Sequence, residues 1–178
     1  MSARHVGWLL CLCIGVPLAQ DAPRVIVNGR VLSGDTVRDL ERAYKTSITP
    51  GRYWYDAVSG AWGVEGAPIA GQLMPGLKLG GPLRAEASRG TSGAFVNGRE
   101  LTLAEVLALQ QACRSPVERG RYWVNAQGLG GRENGPASFN LAACVPPARS
   151  GGSSTRTYCD EQGNCSSHGL WGWISTTR

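Results

Sequence analysis

The chain repeats itself at a fixed interval: Val27-Asn28-Gly29-Arg30 returns 69 positions later as Val96-Asn97-Gly98-Arg99, and Gly51-Arg52-Tyr53-Trp54 returns at the same interval as Gly120-Arg121-Tyr122-Trp123. Between these anchors Leu32, Val37, Leu40 and Ala43 recur as Leu101, Val106, Leu109 and Ala112, and beyond them a one-residue deletion sets Glu65 on Glu133 and Pro68 on Pro136. Self-similarity over roughly 40 residues per copy restricts the fold to two like units.

Each copy reads as strand, helix, then hairpin. Val25-Ile26-Val27 is a short apolar strand, and Asn28-Gly29 is a pair that accepts the positive φ angles of a tight turn. Thr102-Leu103-Ala104-Glu105 has the spacing of a capping box, and Ser33 with Asp35 supplies a cap and a first-turn acid in the first copy. Val37, Leu40, Tyr44 and Ile48 match Val106, Leu109, Cys113 and Val117, one apolar stripe at helical spacing that predicts a helix ended by Pro50-Gly51 in one copy and near Pro116 in the other. Arg52–Asp56 and Ala61–Glu65 follow as strands around Ser59-Gly60, and the second copy repeats them around Gln127-Gly128. The fold class expected is α+β, with two pseudo-symmetric strand-helix-hairpin repeats in one pseudo-twofold domain and a cysteine-containing tail.

Arg4 and His5 precede the apolar run Val6–Leu18, and small residues follow at Ala19 and Ala22, the order of a secretory signal. The expected division is a signal peptide at 1–22, repeat one at 23–68, a Gly/Pro-rich linker at 69–93, repeat two at 94–144, and a Gly/Ser-rich segment with a clasped tail at 145–178. Secretion or a periplasmic location follows, with no membrane span after signal removal. In such a compartment Cys113, Cys144, Cys159 and Cys165 favour disulfides, most economically Cys159 with Cys165 around a polar turn and Cys113 with Cys144. A zinc site is the rival, set back by the absence of C-x-x-C spacing and by His168 as the one mature histidine. The net charge of +5 comes from scattered arginines without a long basic run, which argues against nucleic acid and polybasic membrane contact.

PGRYWYDAVSGAWGVEG and AFVNGRELTLAEVLALQ resemble segments of a family of small exported bacterial proteins of uncharacterised activity. That resemblance spans about Val25 to Pro136 and implies export and a shared fold, without an activity to carry over. The Gly51–Gly63 string is also similar to the aromatic hairpins of cell-wall and glucan-binding repeats, where rings stack on sugars.

The inventory for catalysis is short. His168 lies in a Ser-Ser-His-Gly string, Gly128–Gly131 falls inside a hairpin rather than before a helix, and only Glu65 with Glu133, or Asp56 with Asn125, are paired by the repeat. Three readings stand: a non-enzymatic structural or interaction domain, a glycan or cell-envelope binding module, and an extracytoplasmic enzyme on glycan. No cofactor or metal is implied. With Trp54 and Trp123 turned inward by strand alternation, Tyr53, Tyr55 and Tyr122 become the outward aromatics, and together with Arg52 and Arg121 they form the candidate binding set for an envelope glycan or a protein partner. The alternative for the arginines is internal: Arg52 neutralises Glu65 across its own hairpin, as Arg121 does Glu133.

Overall fold

The computed structural model describes residues 23–144 and the strand pairs 158–159 and 165–166. The expected signal segment and most of the tail fall outside these residues. The first lobe comprises β1 (Val25–Val27), β2 (Arg30–Val31), α1 (Gly34–Tyr44), β3 (Gly51–Tyr55), β4 (Ala61–Val64) and β5 (Gly71–Gln72). A short 3-10 turn, Ala85–Ser88, leads to the second lobe: β6 (Ala94–Val96), β7 (Arg99–Glu100), α2 (Leu103–Cys113), β8 (Gly120–Val124), β9 (Leu129–Arg132) and β10 (Phe139–Asn140). The result is a small α+β domain with two five-stranded sheets, ordered β2-β1-β3-β4-β5 and β7-β6-β8-β9-β10, and two helices. Further along, β11 (Tyr158–Cys159) pairs antiparallel with β12 (Cys165–Ser166), Cys159 opposite Cys165; the sulfur clasp itself lies outside the described residues.

The registers of the two sheets coincide at the sequence offset. Val27 faces Tyr53 in a parallel pair as Val96 faces Tyr122, and Trp54 faces Gly63 as Trp123 faces Gly131. The Asn-Gly turns have the positive φ angles expected of them, 46° and 78° at Asn28 and Gly29, 50° and 90° at Asn97 and Gly98. These asparagines do more than turn the chain. Asn28 Oδ1 accepts from Tyr55 N at 3.0 Å while Nδ2 donates to Tyr55 O at 2.8 Å, and Asn97 holds Val124 at the same two distances. Each amide thereby acts as one extra residue of ladder between β1 and β3, or β6 and β8.

The helices end earlier than the sequence suggests. Lys45 and Arg114 adopt left-handed φ angles of 46° and 50° directly after Tyr44 and Cys113, so the ladder stops there, and Ile48 and Val117 enter the core from the following loops. The capping box is formed: Glu105 N donates to Thr102 Oγ1 at 3.2 Å and Thr102 N to Glu105 Oε2 at 2.8 Å. Cys113 and Cys144 form a disulfide that ties the end of α2 to the segment after β10.

The expected two-fold relation does not hold. From the first lobe Trp54, Ala61 and Ile69, on one side of its hairpin, pack with Leu101, Leu109 and Val124 from the helix side of the second. A two-fold contact would use equivalent surfaces of both lobes, so this one runs head to tail. The helix side of the first lobe has a separate core of Val25, Val27, Tyr55 and Leu79.

Candidate functional site

Four polar contacts fasten the lobes. Asn97 Nδ2 donates to Asp56 Oδ2 at 2.6 Å, Gln72 Nε2 to the Ala126 carbonyl at 3.2 Å, Ile69 N to Glu105 Oε1 at 3.0 Å, and the Arg99 guanidinium lies 4.1 Å from the centre of the Trp54 ring. Arg99 and Glu105 are 4% and 1% exposed and pair through two hydrogen bonds, at 2.9 and 3.1 Å. A buried ion pair survives only when its remaining hydrogen-bonding capacity is met. Here Arg99 Nη1 donates to Ser88 Oγ at 2.8 Å, while Thr102 N, Thr102 Oγ1 and Ile69 N all donate to the carboxylate. In the first lobe Arg30 is exposed and Thr36 stands where Glu105 would be. The repeated Asn-Gly-Arg string contains this arginine, but sequence alone did not separate the buried copy from the exposed one; the Glu six residues after Arg99, absent after Arg30, is the signal that distinguishes them.

The arginines of the expected binding set pair within their own hairpins. Arg52 Nε donates to Glu65 Oε2 and Arg121 Nε to Glu133 Oε2, each at 2.6 Å across its own hairpin, and Arg84 also reaches Glu65 at 3.1 Å. Tyr53 and Tyr122 are half-buried, their hydroxyls donating to Thr49 O and Glu118 O. Tyr55 corrects the expected alternation, since at 2% exposure it is as buried as Trp54. Both faces of β3 are covered, Tyr55 by the helix-side core and Trp54 by the second lobe, so the hairpin lacks a free face there. Trp123 is only half-buried, because no lobe stacks on its side of the second sheet among the described residues.

The aromatic partner of each half-buried tyrosine comes from a different strand in the two lobes. Tyr53 meets Trp62 of β4, with ring centres 6.2 Å apart, and Tyr122 meets Phe139 of β10 at 6.1 Å. Trp62 pairs across the sheet with Gly71, and Gly130 with Phe139, so the large and small residues have changed places within one cross-strand pair. The exchange is required by space. A Cβ at Gly71 would stand 3.0 Å from the Trp62 ring and one at Gly130 2.4 Å from the Phe139 ring.

Beneath α1 the first lobe holds a cleft of about 290 Å³, walled by Val25, Val27, Leu40, Tyr44, Tyr55 and Trp62 among others. Tyr44 Oη accepts from Met74 N at 2.8 Å; Tyr55 Oη donates to Met74 O at 2.6 Å and accepts from Leu77 N at 3.2 Å. Burial raises the Tyr55 phenol above its ordinary pKa, so the group is a neutral wall and not a base. No group of three or more metal-ligating side chains lies among the described residues.

Extra-large guanine nucleotide-binding protein 1 of Arabidopsis thaliana is 39% identical to the chain over 109 residues, and extra-large guanine nucleotide-binding protein 2 of the same plant is 33% identical over 106. These stretches cover 60% and 58% of the chain but 12% of each relative. No protein-family description matches, and no solved structure does. The similarity to plant guanine nucleotide-binding proteins overturns the expected membership of an exported bacterial family, and with it the bacterial, periplasmic and glycan-binding readings. The family misreading has a physical source: an aromatic hairpin is a generic solution to packing, and the aromatics of the first hairpin are spent on the core. Among the described residues no helix is long and apolar enough to cross a membrane.

Proposed function

We propose that the chain is a protein-binding module of the kind carried within guanine nucleotide-binding proteins, built from two copies of one unit, 23–68 and 94–144, joined by 69–93. The observation that carries the reading is a counterpart of an occupied surface that no lobe covers among the described residues. Trp54, Ala61 and Ile69, which receive the second lobe, are 1%, 4% and 3% exposed. Their equivalents in the second lobe are Trp123, half-buried, Leu129, 42% exposed, and Ala137, exposed. An apolar surface of this shape left open favours a protein partner. The contact on Trp54 supplies its chemistry: an arginine laid over the indole, paired with a carboxylate at a helix N-terminus. A second copy of this chain fits poorly, since its own first lobe has Thr36 in place of the carboxylate.

Among the described residues guanine nucleotide binding by the chain itself has no support in the geometry, because the glycine-rich string at 128–131 lies largely in β9 and does not lead directly into a helix N-terminus. The experiment is to titrate the chain against the relative's remainder, prepared without the matched stretch, and separately against guanine nucleotide. Association with that remainder, weakened at least tenfold by Trp123→Ser and Leu129→Ser, agrees with the proposal. Absence of association, or direct nucleotide binding by the chain, refutes it.

A further inference from the structure

We infer that the cleft of the first lobe is a binding site for a small uncharged aromatic compound. The cleft lies under α1 and away from the Trp123 surface, so this inference stands independently of the proposed protein contact. Three observations carry it.

The first is that the cleft is held open by directed bonds. The Tyr44 and Tyr55 hydroxyls fix the Met74 and Leu77 backbone, the Tyr53 hydroxyl fixes Thr49, and Glu41 Oε1 accepts from Ile48 N at 2.9 Å. α1 and the loops on either side are thereby tied at a set distance from the sheet, and the apolar walls do not close on one another. No residue of α1 is buried, although its apolar stripe faces the sheet.

The second is the chemistry of the walls. The three tyrosine hydroxyls are already bonded to backbone, and the lining contains no Lys, Arg, Asp or Glu. A charge carried into the apolar depth of the cleft would be desolvated without an ionic partner, whereas an uncharged ring loses little. Thr46, Ser47 and Thr49 at the rim can meet one polar substituent. Tyr53 and Trp62, tilted 59° to each other, offer the ring face and edge that aromatic guests prefer. At about 290 Å³ the cleft is roughly twice the ~150 Å³ of a cavity that takes benzene, room for a compound the size of indole or a cresol.

The third is the second lobe, where the same volume is taken up. There Leu109 and Val124 are 4% and 1% exposed, Leu141 packs where Leu73 lines the cleft, and the position of Tyr44 is Cys113, disulfide-bonded to Cys144. The cleft is thus a feature of one lobe and not a necessary gap in the fold.

The test uses the full chain with p-cresol and indole as probes and benzoate as the charged control, followed by saturation-transfer NMR and by shifts of the Val25, Val27 and Leu40 methyl groups. Binding of both neutral probes with shifts at those methyls, at least tenfold weaker binding of benzoate, and loss of the probes in Leu40→Trp, which fills the cleft, are the results expected. If Leu40→Trp fails to fold, the methyl shifts in the parent decide the matter. No transfer to either neutral probe, shifts gathered around Trp123 instead, or benzoate bound as well as cresol would overturn the inference.

Discussion

The two lobes share a strand order and a register, yet they hold their helices by different means. α2 is fixed by the buried Arg99–Glu105 pair, by Leu109 in the common core and by the Cys113–Cys144 disulfide. α1 has none of these. Its ends are stapled by a Ser33 cap and by the Tyr44 hydroxyl, its outer face carries the exposed pairs Arg38–Asp35 and Arg42–Asp39, and a cleft lies beneath it. The difference teaches that the position of a unit in the stack, more than its own pattern, decides what its side chains do. The helix side of the second lobe faces another lobe and is closely packed, whereas among the described residues that of the first lobe faces no other lobe and can keep a space.

The contrast is broken most sharply at the ion pair. Glu105→Ala leaves the buried Arg99 guanidinium without its partner and strips the cap from Thr102, and is expected to lower stability by about 3 to 5 kcal/mol in urea unfolding. Thr36→Ala, at the equivalent site, is expected to change it by less than about 0.5 kcal/mol. Leu109→Ala and Leu40→Ala follow, at about 4 and about 2 kcal/mol respectively, because Leu40 already borders open volume and loses fewer contacts. Equal costs at these two positions would mean that the helices are packed alike.

A smaller effect sharpens the comparison between the sheets. Trp62→Gly empties a ring position and Gly71→Phe alone meets the Trp62 ring, but the double variant recreates the Gly130–Phe139 arrangement of the other lobe. A double-mutant cycle is expected to show favourable coupling of about 0.5 to 3 kcal/mol. The smallest effect is electrostatic. Because burial raises the Tyr55 pKa, its contribution to stability is complete below about pH 10, the unfolded value, and is lost as pH rises toward the folded one. Ultraviolet titration is expected to show a phenol ionising above its ordinary range, and Tyr55→Phe to abolish that late step.

Much of the architecture was legible because it rests on local rules written twice. The Asn-Gly turns, the Thr102 capping box, the hairpins and the pairing of Cys113 with Cys144 follow from short spacings and elimination. So does the internal pairing of Arg52 with Glu65 and Arg121 with Glu133, the alternative weighed beside a binding role. What the sequence concealed was relational. Two-residue alternation assigns Tyr55 to the face opposite Trp54 but says nothing of whether that face is covered, and a repeat interval carries no information on whether two units meet face to face or head to tail. The open Trp123 surface and the cleft are legible only by comparing equivalent positions in three dimensions. The family reading failed for a related reason, since aromatic hairpin strings describe a packing solution shared by unrelated proteins.

Head-to-tail stacking is tested most directly by amide hydrogen exchange at Ile69 and at its counterpart Ala137. The Ile69 amide donates to Glu105 inside the contact between lobes, so it is expected to exchange only with global unfolding, to lose that protection in Glu105→Ala, and to be slower than Ala137 by at least about a hundredfold. Comparable exchange at the two amides, or protection of Ile69 that survives Glu105→Ala, would contradict the stacking of the second lobe on the first.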